Sequence, residues 1–413
     1  MMNRVAITGI GAITPIGNDA PTFWDHLIHG VCGIAPITRF DTKDSKVTLA
    51  AEVKGFDPLA YMDKRDARKA DLYTQYAVAA ASEAMEDSKL LGTVPDNRLG
   101  VYVGSGIGGM ETFIKECTKC KEKGPRHVSP FFIPMLISNM AAGTIAIRFS
   151  AKGPSMCITT ACATSANAIG EAYRAIQNGY ADAMIAGGSE ATINELATAG
   201  FANCMALHTG TDPNCASVPF DKRRSGFVMG EGGAILILEN YDHAKKRGAH
   251  IYAEVCGYGN TNDAYHMTAP ESSAESPAEA IRLAVAEAKI AKDTPLYINA
   301  HGTSTTLNDK TETLAFKKAL GESWAKSAWI SSTKSMHGHM LGATGAAEAI
   351  ACVKALETGI IPPTIHYQEP DPECDLFYTP NEALKKDPEW AISTNLGFGG
   401  HNACLAFHKE KED

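Results

Sequence analysis

Apolar residues recur along the 413-residue chain in two alternating patterns. Short apolar runs predict buried strands, and longer stretches with apolar residues every three or four positions predict helices. The predicted strands are 5–8, 99–103, 157–160, 183–186, 234–238, 251–257, 296–299, 329–331, 390–394 and 403–408. The predicted helices are 74–88, 135–149, 165–177, 276–288, 310–320 and 345–356. Strands and helices that alternate over the whole length predict an α/β fold.

The order of elements partly repeats after about residue 250. The segments "CITTACATSANAIGEAYRAIQNG" and "ISSTKSMHGHMLGATGAAEAIACVKALETG" both read as a strand, a reactive residue, a helix of small residues and a glycine. We therefore predict a duplicated α/β unit, with an N-terminal half over 1–250 and a C-terminal half over 251–413. No Pro/Ser-rich linker separates the halves, so we expect one continuous core. Sites are expected at the C-terminal ends of the strands.

The composition narrows the class of protein. Hydrophobic residues make up 45% of the chain and charged residues 21%, which is typical of a globular protein. A net charge of −9 disfavours nucleic acids and anionic membranes as partners. The eleven cysteines are an odd number in a large chain whose first residues lack a signal-peptide pattern. We expect free thiols and a cytoplasmic location.

Cys162 lies where a β-favouring run ends and a helix of small residues begins. Beyond it Ala166, Ile169, Tyr173 and Ile176 recur at the spacing of one helix face. The partial positive charge of a helix N-terminus favours a thiolate, so Cys162 is a candidate nucleophile. From the residues alone, a buried and inert cysteine remains the alternative.

Two histidines follow predicted strands at corresponding places in the C-terminal half. His301 lies in "NAHGTST", and His339 lies in "STKSMHGHMLGATGAAE" beside a second histidine, His337. A thiol and two histidines also suit a zinc site, but no carboxylate stands at an obvious ligand spacing. A Cys–His hydrolase is a further alternative. We favour neither, because Lys334 and Glu348 add a charged pair to the same predicted cavity.

Two further stretches are candidate binding elements. "NLGFGGHNA", at 395–403, is predicted as a glycine-rich loop between the two closing strands, and one of its backbone N–H groups could form an oxyanion hole with that of Cys162. A basic run over about one and a half predicted helical turns comprises Lys64, Arg65, Arg68 and Lys69. Such runs are most often solvated surface.

The motifs around Cys162, His301 and His339 and the segment 395–403 together resemble the β-ketoacyl-[acyl-carrier-protein] synthases. "TTACATSANAIGEA", "NAHGTST", "SSTKSMHGHMLGATGAAE" and "NLGFGGHNA" occur in the family's order, and essentially the whole chain follows the pattern of its chain-elongating bacterial members. The resemblance implies a thiolase fold, a five-layered α/β/α/β/α arrangement of two similar halves. It also implies a homodimer that needs no metal or other cofactor and receives substrates from acyl carrier protein.

The resemblance also implies a role for each matching position. The family's catalytic positions correspond to Cys162, His301, His339, Lys334, Glu348 and the gating aromatic Phe398. The positions that contact the acyl or pantetheine chain correspond to Ile107, Phe201, Thr303, Thr305 and Gly399. The basic run falls where the family docks its carrier protein. The implied reaction is a ping-pong condensation in which Cys162 is acylated and two histidines stabilise the enolate formed from a malonyl group.

Three positions depart from the usual pattern of that family. His401 and His337 stand where threonine is common, and Thr306 replaces a frequent proline. We assign the catalytic histidine to His339 because Met-Leu-Gly-Ala follows it. A polyketide-type ketosynthase and a non-catalytic chain-length-factor-like subunit remain alternatives, and the presence of Cys162 speaks against the second.

Overall fold

The computed structural model describes residues 2–410, and most of its strands belong to one large mixed sheet. The strands are β1 (Val5–Ile13), β2 (Ala35–Pro36), β3 (Leu49–Ala50), β4 (Leu99–Gly104), β5 (Ser155–Met156), β6 (Ala183–Glu190), β7 (Gly232–Asn240), β8 (Ala253–Asn262), β9 (Leu296–Asn299), β10 (Trp329–Ser331), β11 (Ile360–Ile361), β12 (Leu384–Lys385), β13 (Trp390–Gly397) and β14 (His401–Lys409).

Helices cover both faces of this sheet and also lie between its halves. They are α1 (Ala20–Ile28), α2 (Lys64–Ala67), α3 (Leu72–Ser88), α4 (Met110–Lys123), α5 (Phe132–Leu136), α6 (Met140–Phe149), α7 (Thr164–Gln177), α8 (Glu195–Asn203), α9 (Tyr241–Lys246), α10 (Glu275–Ala288), α11 (Thr306–Leu320), α12 (Glu322–Ser327), α13 (Lys334–His337) and α14 (Thr344–Thr358).

The large sheet is built from two sets of five strands with the same order and directions. Within residues 2–410 its strand order is β10-β9-β13-β14-β8-β1-β7-β6-β4-β5. From the centre outward in one set, the pairs β1–β7 and β7–β6 are antiparallel, and the pairs β6–β4 and β4–β5 are parallel. In the other set, the pairs β8–β14 and β14–β13 are antiparallel, and the pairs β13–β9 and β9–β10 are parallel. A short antiparallel pairing of β1 with β8 joins the sets. The predicted division at residue 250 stays a prediction; it falls between α9 and β8.

Three hydrophobic cores separate the layers of secondary structure. The central core holds α7 and α14 between the two sets of strands, and the outer cores pack α3 with α6 on one set and α10 with α11 on the other. Along β7, Ala234, Leu236 and Leu238 face the central core, whereas Ile235 and Ile237 face an outer one. Both faces of the strand are thus buried, which explains its nearly continuous apolar sequence. The result is the five-layered arrangement that the sequence predicts.

Three local predictions are wrong, and each error has a physical reason. The first strand does not end at residue 8 but continues to Ile13, because its glycines let α3 pack so closely that a Cβ on Gly11 would fall 2.1 Å from the Ala80 carbonyl oxygen. The helix predicted over 135–149 is interrupted after α5, where Ile137 is extended and its carbonyl accepts a hydrogen bond from the Tyr73 hydroxyl. Residues 157–160 are not a strand, because hydroxyl bonds of Thr159 and Thr164 replace the ladder.

Candidate active site

The reactive residues singled out from the sequence meet at one cavity of about 270 Å³. Cys162, His301, His339 and Phe398 line it together with Thr303 and Thr305. One ligand-type atom from each of Cys162, His301 and His339 lies within 4.8 Å of the other two. Elements from both sets of strands therefore converge on a single reactive sulfur.

A strained turn presents Cys162 to the cavity. Cys162 is the middle residue of a 3-10 turn, Ala161–Ala163, that leads directly into α7. Ala161 has a φ of 51°, a left-handed conformation that costs a non-glycine residue about 1 kcal/mol or more. Gly397 lets β13 approach this turn, since a Cβ there would lie 2.6 Å from the Thr160 carbonyl oxygen. The close packing brings the Phe398 backbone N–H to the sulfur.

Burial, rather than the helix N-terminus, dominates the protonation of this sulfur. Burial raises the pKa of the Cys162 thiol to about 11, although the positive charge of Lys334 and the Phe398 N–H act in the opposite direction. The backbone N–H of Cys162, at the start of the turn that leads into α7, lowers the pKa in the direction that the sequence predicts, but burial outweighs it. The thiol must lose its proton when it attacks a substrate.

The hydrogen bonds of His339 fix its tautomer. The Leu341 backbone N–H lies 3.3 Å from Nδ1 of His339 and can only donate, so this nitrogen carries no proton in the neutral ring. The Thr344 hydroxyl lies 3.0 Å from the same nitrogen. The proton is therefore on Nε2, which has no hydrogen-bond partner within residues 2–410. His339 lines the cavity and presents a free donor.

His301 follows β9 and is held through its backbone. Its N–H and that of Gly302 donate to the buried carboxylate of Glu312, at 2.7 and 2.8 Å. The His301 ring meets the His339 ring edge to face, with 5.3 Å between their centroids. The sequence showed His301 but gave no sign of Glu312, whose role depends on α11 packing against the strand end.

A buried ion pair supports the two imidazoles from behind. The Lys334 ammonium group contacts the Glu348 carboxylate, whose other oxygen accepts a hydrogen bond of 2.6 Å from the Asn395 amide. Burial lowers the pKa of His301 and of His339 well below the ordinary value, and the charge of Lys334 lowers both further. Both rings are thus neutral at physiological pH.

His337 is placed away from the cavity. Its Nδ1 contacts the Gly338 carbonyl at 2.8 Å, and its Nε2 contacts the Thr333 hydroxyl at 3.0 Å. The ring also packs near Phe23, and burial lowers its pKa to about 3. Its hydrogen bonds are satisfied in the core, so the geometry favours His339 over His337 as the reactive imidazole.

The positions predicted to bind substrate divide into two groups. Thr303 and Thr305 line the cavity, and their hydroxyl oxygens lie 2.9 Å apart. Phe201 lies behind the cavity wall and packs against Phe398, with 6.2 Å between ring centroids. Ile107 and Gly399, which the resemblance also assigns to substrate binding, are not among the residues that line this cavity. Ile107 is 39% exposed, and the Gly399 N–H donates to the Met267 carbonyl.

Several cavity residues could not be found from motifs. Phe227 joins Phe201 to His339 through two edge-to-face ring contacts, and Cys204 and Met205 form another part of the wall. These residues come from separate segments that only tertiary packing brings together. The polar wall also includes Asn308, which lies three residues after the "NAHGTST" motif.

The basic run forms one surface hollow. Its four side chains surround Phe131, and the Lys69 ammonium lies 5.0 Å from the centre of that ring. The helical part is shorter than predicted, since α2 covers only Lys64–Ala67. Within residues 2–410, none of the four basic side chains has an ion-pair partner. These cations are therefore available to an acidic partner.

Comparisons with known proteins identify the family. The model described as "Beta-ketoacyl synthase, N-terminal domain" matches residues 2–244, and the corresponding C-terminal model matches residues 252–368. The chain belongs to the β-ketoacyl synthase family. It is an acyltransferase-type condensing enzyme, as the resemblance of its motifs implied.

Curated relatives and solved structures that are similar to this chain include 3-oxoacyl synthases and polyketide ketosynthases. A 3-oxoacyl-[acyl-carrier-protein] synthase 2 of Staphylococcus aureus strain N315 is 51% identical over 409 residues, 98% of each chain. A β-ketoacyl synthase of Burkholderia phymatum covers 99% of this chain and all of its own, with 35% identity and a TM-score of 0.91. A type II polyketide ketosynthase solved with its acyl-carrier protein matches over the full length of both chains, with 34% identity and a TM-score of 0.91. These neighbours confirm the thiolase-like fold.

The pKa of Cys162 leads to a direct chemical test. We expect the rate of alkylation of Cys162 by iodoacetamide to rise about tenfold per pH unit between pH 7 and 10, because the thiolate reacts and its fraction grows up to the pKa. Mass spectrometry of the peptide that contains Cys162 separates its rate from that of the exposed Cys204. A rate that is already constant above pH 8 would contradict the protonated resting state.

Proposed function

We propose that this protein is a 3-oxoacyl-[acyl-carrier-protein] synthase that elongates an acyl chain by two carbons through decarboxylative condensation with a malonyl group. The observation that carries the proposal is the juxtaposition of the Cys162 sulfur with two neutral imidazoles, those of His301 and His339, within one cavity. A nucleophile and a pair of uncharged donors are the groups that this two-stage reaction requires.

In the first stage the Cys162 sulfur attacks the carbonyl carbon of an acyl thioester. A new carbon–sulfur bond forms, the bond to the carrier's thiol breaks, and the Cys162 proton passes through a neutral imidazole to the departing thiolate. The backbone N–H groups of Cys162 and Phe398 both point to the sulfur. They are placed to stabilise the oxyanion that develops beside it.

In the second stage a malonyl thioester loses carbon dioxide. As the carbon–carbon bond breaks, negative charge develops on the thioester oxygen, and the Nε2–H of His339 donates to it together with the imidazole of His301. Neutral rings suit this task because they donate without forming a stable ion pair that would trap the enolate. The enolate carbon then bonds to the acyl carbon, the bond to Cys162 breaks, and the released Cys162 thiolate takes up a proton.

The proposal extends to the other residues that the sequence singles out as contacts of the acyl chain or the pantetheine arm. Phe398 packs against Phe201 at the edge of the cavity and is placed to gate the acyl chain. Thr303 and Thr305 offer hydroxyls to the pantetheine arm, and Gly399 adjoins the gate. Ile107 stays in the proposal as an acyl-pocket residue.

A homodimer is also part of the proposal. Large apolar side chains are exposed close together in sequence around α5, α6 and the edge strand β5. Ile133 is 55% exposed, Ile147 is 80% exposed and Met156 is 47% exposed. A monomeric protein rarely exposes such a group without a partner.

We further propose that the hollow formed by Lys64, Arg65, Arg68 and Lys69 docks an acidic acyl carrier protein. Four unpaired cations around one aromatic ring provide long-range attraction and an apolar contact. The polyketide ketosynthase among the structural neighbours was solved with its acyl-carrier protein. A cytoplasmic location agrees with the eleven cysteines, all of which are free thiols. Within residues 2–410, no helix is both long and apolar enough to cross a membrane.

The decisive assay supplies purified enzyme with acyl- and malonyl-carrier protein and identifies the products. We expect 3-oxoacyl-carrier protein from the parent enzyme, whereas Cys162→Gln is expected to lose condensation and keep malonyl decarboxylation, since the loss of carbon dioxide does not need the sulfur. A chelator in parallel tests the thiol and two imidazoles as a metal site. Free fatty acid without the 3-oxoacyl product would indicate a hydrolase, and activity lost to the chelator would indicate a metal enzyme.

The two neighbouring histidines give a matched comparison. We expect His339→Ala to reduce malonyl decarboxylation by roughly a hundredfold or more, because it removes a donor to the developing charge. His337→Ala is expected to lower the melting temperature but to reduce decarboxylation less, since both its ring nitrogens are bonded within the core. The reverse order of activities would transfer the role to His337.

Charge reversal tests the docking surface. We expect Arg68→Glu with Lys69→Glu to raise KM for a carrier-bound substrate by roughly tenfold and to leave KM for a small thioester unchanged. The control, Lys289→Glu with Lys292→Glu, changes the net charge equally on exposed residues after α10. Equal effects of the two double variants would mean that the hollow has no special part in docking.

A further inference from the structure

A buried carboxylate that the proposed reaction does not use connects the two sets of strands. Glu190 is the last residue of β6 and has no exposed surface. One of its oxygens accepts hydrogen bonds from the Ser105 hydroxyl at 3.1 Å and the Ile107 N–H at 3.2 Å. The other accepts from the N–H groups of Gly106 at 2.9 Å and Gly342 at 3.1 Å. Burial raises its pKa to about 7, and these four donors oppose the rise.

Gly342 occupies a turn that closely resembles the one carrying Cys162. Each is the middle residue of a 3-10 turn that leads into a helix, and each follows a residue in the left-handed conformation. That residue is Ala161 in one turn, with a φ of 51°, and Leu341 in the other, with a φ of 48°. In the first turn the central N–H faces the reactive sulfur. In the second it donates to Glu190, so a carboxylate of the protein occupies the corresponding anion position.

The second turn also controls His339. The N–H of Leu341 donates to Nδ1 of His339, and the next N–H along the chain, that of Gly342, donates to Glu190. The backbone packs closely around the Glu190 carboxylate. A Cβ on Gly106 or Gly342 would lie 2.7 or 2.8 Å from the nearer Glu190 oxygen. The carboxylate and the turn therefore hold one another in a fixed position.

We propose that Glu190 is a positioning residue whose carboxylate holds the Leu341–Gly342 turn, so that the Leu341 N–H keeps the His339 proton on Nε2, facing the substrate. This inference rests on the proposed function and assigns Glu190 to the decarboxylation stage. The backbone N–H groups of Cys162 and Phe398, which serve the acylation stage, make no hydrogen bond to Glu190.

Removal of the Glu190 charge is expected to affect acylation and decarboxylation in opposite directions. Its negative charge raises the pKa of the Cys162 thiol, although less than burial does. Removing that charge therefore favours the Cys162 thiolate while it releases the turn beside His339. A residue that merely stabilised the fold would not affect the two stages in opposite directions.

The test compares Glu190→Ala and Glu190→Gln in two single-stage assays. Malonyl decarboxylation is measured in the Cys162→Gln background, and acylation is measured with acyl-carrier protein alone. We expect Glu190→Ala to slow decarboxylation by about tenfold or more, the scale of one lost hydrogen bond to a charged group, without slowing acylation. Glu190→Gln can keep its amide oxygen towards Gly106 and Gly342 and turn its NH₂ group towards the Ser105 hydroxyl, and it loses only the hydrogen bond from the Ile107 N–H, which does not contact the turn beside His339. We expect it to retain decarboxylation within about threefold and to speed Cys162 alkylation.

Glu239→Gln is the control, because it changes another fully buried carboxylate whose partners are Thr8, His243 and Arg247. We expect it to lower the melting temperature without separating the two stages. The proposal is overturned if Glu190→Ala slows both stages equally, if it slows neither, or if Glu190→Gln decarboxylates as slowly as Glu190→Ala. Condensation by the parent enzyme in the same series tests the proposed function separately.

Discussion

The buried pair of Lys334 and Glu348 is the interaction on which the chemistry of the site depends. Burial lowers the pKa of both imidazoles, the ammonium group behind them lowers it further, and the carboxylate beside that ammonium makes its own burial tolerable. Removing one partner of such a pair costs about 3–5 kcal/mol because the other charge is left without compensation. Protonation of the site and stability of the fold are therefore linked through the same two side chains.

Around this pair, the architecture brings together turns from distant parts of the sequence. Two sets of five strands with matching order meet at β1 and β8, and α7 and α14 lie between them. Both helices follow a 3-10 turn whose first residue has a positive φ. One turn exposes Cys162, and the other places an N–H next to His339. Local strain is maintained at the two places where backbone N–H groups must face inward.

Much of this arrangement could be predicted from the sequence. Strands β9 and β10 have the predicted limits, because short apolar runs bounded by polar residues have few alternatives. Cys162, His301 and His339 could be assigned because each stands in a distinctive motif at a strand end. The choice of His339 over His337 depended on matching the family motif, and the side-chain contacts of the two histidines now give that choice a physical reason.

Other features depended on packing that no short motif records. The predicted first strand ended before the glycines of β1, but these glycines belong to the strand and are required by the close approach of α3. Phe227 lies between His339 and Phe201 although it is remote from both in sequence. Glu190 and Glu312 act through backbone N–H groups supplied by other elements, so their roles appear only when the sheet is assembled. The protonated state of Cys162 likewise reflects burial that the helix N-terminus alone does not reveal.

A nucleophile that rests as a thiol also resists oxidative damage. Because burial raises the pKa of the Cys162 thiol to about 11, the thiolate is the minor form at pH 7. Peroxides oxidise thiolates to sulfenic acid, and further oxidation to the sulfinic and sulfonic forms destroys the nucleophile. A low thiolate content therefore limits oxidation of Cys162 between turnovers, whereas Cys204, at the wall of the same cavity, is exposed.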